Sequence, residues 1–216
     1  MIMAGYEFEG KMPFKNVYFT GLIRDKQRRK MSKSLGNSPD ALELIEKFGA
    51  DAVRMGLLLC SPAGNDILFD ETQIEQGRNF CNKIWNAFRL IQGWETADSA
   101  PTNASNQAKH YLENRLNAVL IENEKLFSEF RLSDALMATY KLIWDDFCAI
   151  YLEAIKPPYG EPIAKITKLE AQSILLQLMS LLHPYMPFIS EEIASLVSGE
   201  GQFESLVTSA YPQPST

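Results

Sequence analysis

The sequence predicts a mainly α-helical protein, in which a bundle of long helices follows a shorter segment with one buried strand. Apolar residues recur at helical spacing over long stretches of the second part, as in helices that pack into a bundle. Before them, residues 17–23 form a nearly continuous apolar run with β-branched and aromatic side chains, typical of a strand buried in a parallel sheet. Residues 67–69 are a second, shorter strand candidate. A buried strand needs ladder partners, so we expect more of the sheet to lie outside this chain.

Two short helices are predicted between these strand candidates. Ser38 is the predicted N-cap, with Pro39 at the first helical position, of a helix over residues 40–48 that ends before Gly49. A second helix is predicted over residues 51–59, because the Ser-Pro pair that follows cannot continue it. The chain is therefore expected to become helical directly after residue 38.

The bundle helices are predicted from amphipathic periodicity and from capping signals. Asp70 with Gln73 resembles a capping box, while Ser133 and Ser190 are the predicted caps of two later helices. Residues 95–107 are polar and of low complexity, which predicts a flexible surface loop. The predicted helices cover residues 71–92, 108–130, 134–155, 163–183 and 191–197.

The composition is that of a globular protein, since 46% of its 216 residues are hydrophobic and 22% are charged. No stretch approaches the roughly 20 apolar residues of a membrane span, and the N-terminus lacks the basic and apolar regions of a signal peptide. We therefore expect a cytoplasmic protein with no membrane partner. The three cysteines show no C-x-x-C spacing and lie in apolar helical surroundings, so we expect buried free thiols and no metal site.

Charge is distributed unevenly along the chain. The formal net charge of -6 argues against a general nucleic-acid binder, because nonspecific affinity comes mainly from cationic contacts to phosphate. All of this net charge lies in residues 101–216, which hold 8 basic and 14 acidic side chains. Residues 24–33 instead hold six basic side chains and one acid, Asp25. A site for a polyanion is therefore expected to be local and to lie in the first half.

The most informative motif is the octet Lys-Met-Ser-Lys-Ser-Leu-Gly-Asn at residues 30–37. Two lysines lie three apart among small hydroxyl residues and ahead of a glycine, which suits a mobile loop that closes over a polyphosphate. A basic solvated loop, a nuclear-import-like cluster or a chance kinase site is the alternative interpretation. The position of the octet between a strand candidate and a capped helix favours the phosphate loop.

The octet resembles the KMSKS signature of class I aminoacyl-tRNA synthetases. A resemblance to the valyl-tRNA synthetase family extends over nearly the whole chain, through residues 13–25, 45–54, 62–67, 78–87, 143–148 and 183–188. The run Thr-Gly-Leu-Ile-Arg-Asp at residues 20–25 favours that family over the isoleucyl, leucyl and methionyl enzymes. The companion His-x-Gly-His signature does not occur, since His110 and His183 are the only histidines. We therefore expect a piece of a larger enzyme that is inactive alone.

The resemblance implies two regions and a nucleotide site. Residues 1–76 would be the C-terminal part of a Rossmann-like catalytic domain with the KMSKS loop and the stem-contact region, and residues 77–216 the helical anticodon-binding domain. Enzymes of this family activate valine with ATP, which Mg²⁺ accompanies, and transfer it to tRNA(Val); no Mg²⁺ ligand is recognised here. Lys33 would be the principal contact to ATP and pyrophosphate, assisted by Lys30. The implied ATP-binding set is Lys30, Met31, Ser32, Lys33 and Ser34.

A polar stripe runs along one side of the helix predicted over residues 71–92. It consists of Asn79, Asn82, Lys83, Asn86 and Arg89. A solvated helix surface is the simple interpretation. Exposed helix faces usually carry Glu and Lys, however, whereas Asn can pair with a base edge while Lys or Arg holds phosphate. The resemblance implies that Lys83 and Asn86 meet the anticodon loop.

One position departs from the family pattern. Arg28 stands where the family usually has glycine, two residues before the first motif lysine. Glycine would allow a turn with positive φ, which costs any other residue about 1 kcal/mol. We therefore expect the loop to be less ordered here or to turn differently.

Two other functions are compatible with these residues. One is another class I synthetase, of isoleucyl type, because the loop and parts of the bundle are shared. The other is a free-standing tRNA-binding module without catalysis. A His-x-Gly-His strand and turn upstream in the reading frame would exclude the second.

Overall fold

The computed structural model describes residues 1–19, 21–61, 65–199 and 204–214. Its first part consists of short elements around the lysine-rich loop. These are α1 (Ile2–Glu9), β1 (Ile23–Arg24), a single 3₁₀ turn (Lys33–Leu35), α2 (Ala41–Phe48), α3 (Ala50–Leu59) and β2 (Ile67–Leu68). Helix α1 has no buried residue and no side-chain cap, so neither periodicity nor capping indicates it in the sequence.

The second part is built from long helices that pack around one apolar core. Its elements are α4 (Glu71–Gly93), β3 (Thr96–Ala97), α5 (Asn103–Ser128), α6 (Leu132–Lys141), a π-helical segment (Leu142–Tyr151), α7 (Leu152–Ile155), β4 (Ile163–Ala164), α8 (Lys165–Leu182) and α9 (Pro187–Ser198). The core takes side chains from all of the helices in this part. The prediction of a mainly helical fold is therefore confirmed.

Strands β1 and β2 form a short parallel ladder, with Ile23 opposite Ile67. The strand predicted over residues 17–23 is wrong for most of its length, because Ile23 alone of its described residues lies in a strand. Thr20 lies outside the described residues. The apolar side chains before β1 are exposed, that of Phe19 to 81%. Within the described ranges, β2 is the one strand paired with β1, and it offers a ladder of two residues.

The first predicted cap is wrong by two residues. Asp40, not Ser38, is the N-cap of α2, and its carboxylate accepts a hydrogen bond from the Leu42 N–H at 2.7 Å. Pro39 therefore lies outside the helix. Both residue types are good N-caps, so the sequence alone could not decide between them.

Two later helices also begin earlier than predicted. Helix α6 begins at Leu132, one residue before the predicted cap Ser133, and no side chain caps it. Ser190 lies inside α9, which begins at Pro187. Proline suits the first position of a helix because its φ is fixed and its missing N–H would have no partner there.

The predicted flexible loop over residues 95–107 is wrong at both ends. Thr96–Ala97 forms β3, which pairs in parallel with β4. Thr102 caps α5, and its hydroxyl accepts a hydrogen bond from the Ser105 N–H at 3.1 Å. The polar residues that indicated a loop are thus in part capping residues, since serine and threonine favour both roles.

Helix α3 packs against α4 at very short range. A side chain at Gly56 would lie 2.7 Å from the backbone of Ile74, and one at Gly77 would lie 2.7 Å from the carbonyl oxygen of Ala52. Glycine at both positions therefore lets the two helices touch backbone to backbone. The predicted division between residues 76 and 77 falls inside α4 and stays a prediction.

Helix α3 also fixes the corner between α8 and α9. Asp51 accepts hydrogen bonds from the N–H groups of Phe188 and Ile189, the second and third residues of α9, at 3.3 and 2.7 Å. It therefore caps a helix that is distant in sequence. Arg54 donates to the carbonyl oxygens of Pro184 and Tyr185 at 3.1 and 3.0 Å. Burial raises the pKa of Asp51 above its ordinary value, although the amide bonds favour its ionised form.

The three cysteines are free, as predicted; Cys148 is buried, whereas Cys60 and Cys81 are half-buried. Burial raises the pKa of Cys81 to about 12 and that of Cys148 to about 11. Because the thiolate is the reactive form, these two thiols are held in an unreactive state. No helix in the described ranges combines the length and the apolar character needed to cross a membrane.

Candidate nucleotide site and RNA-binding stripe

The lysine-rich loop begins as a tight hairpin at the end of β1. An antiparallel bridge joins Arg24 to Lys30, and the Met31 N–H donates to the carbonyl oxygen of Ile23 at 2.9 Å. The chain thus turns back beside its own strand before the octet continues. The backbone of the first motif lysine is therefore tied to the sheet.

Asp25 organises the turn of this hairpin from within. Its Oδ1 accepts hydrogen bonds from the N–H groups of Gln27 and Arg29, both at 2.9 Å. Its Oδ2 accepts from the Arg29 Nε at 2.9 Å and from the Asn37 Nδ2 at 3.0 Å. The one acid in the basic segment is therefore a structural acceptor.

Asn37, the last residue of the octet, closes the loop onto Asp25. Its Nδ2 donates to the carboxylate of Asp25 and to the carbonyl oxygen of Lys30, the latter at 3.2 Å. Its Oδ1 accepts from the Ser32 N–H at 3.0 Å. We call this network the Asp25–Asn37 clamp. It holds the backbone at both sides of Met31 and leaves the lysine side chains out of the network.

The clamp lowers the pKa of Asp25 from its ordinary value of 3.8 to about 2. The hydrogen bond from Asn37 contributes most, and the hydrogen bonds and charge of Arg29 add to it. Asp25 therefore stays ionised at neutral pH and well into the acid range.

The middle of the octet forms the 3₁₀ turn at Lys33–Leu35. Ser32 caps it, since its hydroxyl accepts a hydrogen bond from the Leu35 N–H at 3.3 Å and lies 3.1 Å from the Ser34 hydroxyl. Gly36 ends the turn with φ 64, a conformation that glycine adopts without steric cost. Lys30, Lys33 and Ser34 are exposed, while Met31 and Ser32 are half-buried.

The basic side chains of residues 24–33 divide into two groups. Three form ion pairs: Arg24 with Asp66, Lys26 with Asp70 at 4.0 Å, and Arg29 with Asp25 at 2.8 Å. The other three, Arg28, Lys30 and Lys33, have no acidic partner within the ranges that the structure describes. Three of the six cations are thus paired with carboxylates, and the other three are available to a ligand.

The donor set of this loop fits an anion and does not fit a magnesium ion. Mg²⁺ takes oxygen ligands, chiefly carboxylates and water, whereas the loop offers ammonium and guanidinium groups. Its carboxylate, Asp25, already accepts from Gln27, Arg29 and Asn37. Among the residues described, no three His, Cys, Asp or Glu side chains come together as a possible metal site.

The polar stripe lies on one face of α4, as its spacing predicts. Asn79, Asn82, Asn86 and Arg89 are exposed, and Lys83 is half-buried. The opposite face is buried and includes Phe80. Cys81 and Trp85 of the same helix are only half-buried.

Lys83 has an aromatic neighbour that its sequence position does not indicate. Its Nζ lies 5.5 Å from the centre of the Trp144 ring, which suits a cation–π interaction. The Trp144 ring also stacks on that of Tyr140, with centroids 5.6 Å apart. Trp144 comes from the π-helical segment, and such segments are often found at functional sites. Trp144, which packs partly buried against the apolar core, therefore also lies at the stripe.

Comparison with known protein families gives the class of protein. The family described as the anticodon-binding domain of tRNA ligase matches residues 109–216, and the family of class I tRNA synthetases (I, L, M and V) matches residues 1–70. The chain therefore belongs to the class I tRNA ligases that carry this anticodon-binding domain. The polar stripe on α4 lies between the two matched ranges.

Among individual proteins, the chain is similar to valine–tRNA ligases. It is 62% identical to the valine–tRNA ligase of Bacteroides thetaiotaomicron over 194 residues. This aligned stretch covers 89% of this chain and 22% of the relative. It is 39% identical to that of Chlorobaculum tepidum, over 99% of this chain and 26% of the relative. The resemblance to valyl-tRNA synthetases is thus confirmed. The chain spans about a quarter of the length of these curated relatives.

The fold also matches a solved structure of the class. This is the ternary complex of Agrobacterium radiobacter K84 agnB2 LeuRS with tRNA and LeuAMS, with a TM-score of 0.70 over 99% of this chain and 26% of that chain. Sequence identity is 22%, so this likeness shows the fold alone.

The clamp predicts an unusually acidic Asp25. We expect carboxyl-carbon NMR of the protein to give a pKa of about 2 for Asp25, and substitution Asn37→Ala to move that pKa toward 3.8, because the largest stabilisation of the carboxylate is lost. A lowered pKa stabilises the folded loop above pH 3.8 and ceases to do so as pH falls through about 2, so the loop should loosen in that window.

The matched control is Asn86→Ala, which removes an exposed asparagine on α4 and should leave the titration of Asp25 unchanged. An Asp25 that titrates near 3.8 in the unsubstituted protein would contradict the clamp.

Proposed function

We propose that the chain is part of a cytoplasmic valine–tRNA ligase, which forms valyl-adenylate and pyrophosphate from ATP and valine and then transfers valine to tRNA(Val). The observation that carries the proposal is a coincidence of two features. The chain is 62% identical over 194 residues to a valine–tRNA ligase, and the two lysines of its octet are exposed without an acidic partner in the described ranges.

The lysines suit the charge that develops during valine activation. The valine carboxylate attacks the α-phosphorus of ATP, and the bond to the bridging oxygen of the pyrophosphate breaks with its electron pair on that oxygen. Ammonium groups that reach the departing oxygens stabilise this transition state more than they stabilise bound ATP. We assign Lys33 the principal contact and Lys30 the assisting one, with Met31, Ser32 and Ser34 completing the ATP-binding segment.

The clamp supports this role because it separates the backbone of the loop from its charges. Asn37 holds the Ser32 amide and the Lys30 carbonyl, so the backbone on both sides of Met31 is fixed while the lysine side chains stay outside the network. An ammonium group on a flexible stem can then follow the phosphate as the loop closes. Mg²⁺, which would accompany ATP, is not assigned to residues of this chain.

The polar stripe is proposed to bind the anticodon loop of tRNA(Val). Its exposed asparagines offer both donors and acceptors to base edges, and Lys83 and Arg89 offer charge to phosphate. Lys83 contacts Trp144, which belongs to the residues that match the anticodon-binding domain. With this assignment, residues 1–76 serve the catalytic side and residues 77–216 the anticodon side.

Removal of the principal lysine tests the activation step. In the intact ligase we expect Lys33→Ala to slow ATP–pyrophosphate exchange by about a hundredfold or more, because a charged donor to the transition state is lost. Lys26→Ala, which removes a paired cation of the same loop, should stay near the wild-type rate. Exchange at an undiminished rate in Lys33→Ala would contradict the proposed function.

Removal of Lys83 tests the stripe through its salt dependence. We expect Lys83→Ala to weaken binding of tRNA(Val) and to lower the slope of log affinity against log salt by about 0.7 to 0.9, since one phosphate contact is lost. Lys125→Ala, a change of one exposed lysine on α5, serves as the control and should leave the slope unchanged. Equal slopes for the wild type and Lys83→Ala would contradict the assignment.

A further inference from the structure

Arg28 combines an unfavourable backbone conformation with a side chain for which the described part of the chain offers no partner. Its φ is 62, and within the described ranges one other non-glycine residue, Phe130 with φ 58, shares this region. A left-handed conformation is unfavourable for a residue with a Cβ, so another interaction must favour the residue that stands there. Strained residues of this kind often occur at functional sites.

Phe130 adopts its left-handed conformation together with a packing contact of its side chain. Its ring packs on that of Tyr18, with centroids 6.0 Å apart. The packing benefit of an aromatic contact offsets the backbone cost. Arg28 has no comparable contact within the described residues, and its side chain is exposed.

The backbone of Arg28 is held firmly, although its side chain has no partner among the residues described. Its N–H donates to the carbonyl oxygen of Asp25 at 2.8 Å, and its carbonyl oxygen accepts from the Arg24 Nη1 at 3.0 Å. The Asp25 carboxylate binds the two residues on either side of the turn, Gln27 and Arg29. The hairpin thus presents the Arg28 guanidinium at its tip from a fixed point.

The position of Arg28 relates it to the two octet lysines. The returning arm of the hairpin pairs with Arg24 at Lys30, which lies two residues after Arg28. Arg28, Lys30 and Lys33 are also the three cations of this segment without an acid partner in the described ranges. A guanidinium differs from the lysines in its planar fork, which binds two phosphate oxygens at once.

We propose that Arg28 is a third phosphate-binding residue of the lysine loop. This inference rests on the proposed function and adds to it a bidentate contact, to a phosphate of the nucleotide or to a phosphate of the RNA 3′ end. Arginine at this position adopts an unfavourable positive φ but places a charge at the tip of the hairpin. Glycine would adopt the turn easily but would provide no charge.

The test uses the fact that glycine relieves the backbone cost while it removes the charge. In the intact ligase, Arg28→Gly should slow one chemical step by about three- to tenfold, the range of an exposed charge-assisted contact, even though the turn becomes easier to form. Arg28→Lys keeps the charge without the fork and should fall between Arg28→Gly and wild type. Lys26→Ala removes a cation from the same turn and should match the wild type.

Two assays distinguish the source of the phosphate. A slower ATP–pyrophosphate exchange without tRNA assigns the contact to the nucleotide, and a slower single-turnover transfer from preformed valyl-adenylate assigns it to the RNA. If Arg28→Gly equals or exceeds the wild type in both assays, Arg28 is a turn residue and the inference is overturned. Lys26→Ala as slow as Arg28→Gly overturns it as well, because any local cation would then suffice.

The Lys33→Ala variant separates failure of this inference from failure of the proposed function. Slow exchange in Lys33→Ala together with normal exchange and transfer in Arg28→Gly removes the role of Arg28 and leaves the ligase. Normal exchange in both variants removes both.

Discussion

A hydrogen bond between the Asn37 amide and the Asp25 carboxylate closes the base of the lysine loop at 3.0 Å, and the arrangement of the candidate nucleotide site depends on it. The Asp25 carboxylate also accepts hydrogen bonds from the amides of the hairpin turn. The Asn37 side chain also bonds the Lys30 carbonyl and the Ser32 amide. These four backbone groups of an exposed loop are thereby paired without use of either octet lysine side chain. A loop that must close over a polyanion needs this separation, since a lysine engaged in holding its own backbone could not follow a phosphate.

Helix α3 connects the region of this loop to the helical bundle. It touches α4 through Gly56 and Gly77, and it holds the α8–α9 corner with Asp51 and Arg54. Helix α4 starts beside the loop, where Asp70 pairs with Lys26, and its later turns carry the polar stripe. One helix therefore runs from the candidate nucleotide site to the candidate RNA surface. Backbone contact between α3 and α4 leaves little freedom for the two sites to move independently.

Local signals predicted much of this structure. Helical periodicity gave the bundle, and Asp70 caps α4 as its sequence position indicates, with the Thr72 N–H donating to its carboxylate at 3.1 Å. The errors arose where a second, equally suitable residue lay nearby, as with Ser38 and Asp40, or where the partner was distant in sequence. The cap that Asp51 provides to α9 is one such case, because no local pattern links residues 138 positions apart. The strand predicted over residues 17–23 failed for a related reason, since apolar composition does not supply a ladder partner.

The candidate sites were predictable in part and for the same physical reasons. The octet itself is a local signal, and the stripe follows from the 3.6-residue period of α4. Asn37 was within the octet, yet its structural role depends on a fold-back over twelve residues to Asp25. The contact of Lys83 with Trp144 joins two helices and has no signature in either. At Arg28 the departure from glycine suggested a changed turn, whereas the residue adopts the positive φ.

On the proposed function, the Asp25–Asn37 clamp acts on catalysis through the octet lysines. A double-mutant cycle of Asn37→Ala and Lys33→Ala, measured as ATP–pyrophosphate exchange by the intact ligase, tests it most directly. We expect Asn37→Ala to slow exchange by a much smaller factor when Lys33 is already absent than in the wild type. Slowing by the same factor in both backgrounds would show that the two side chains act independently and would contradict it.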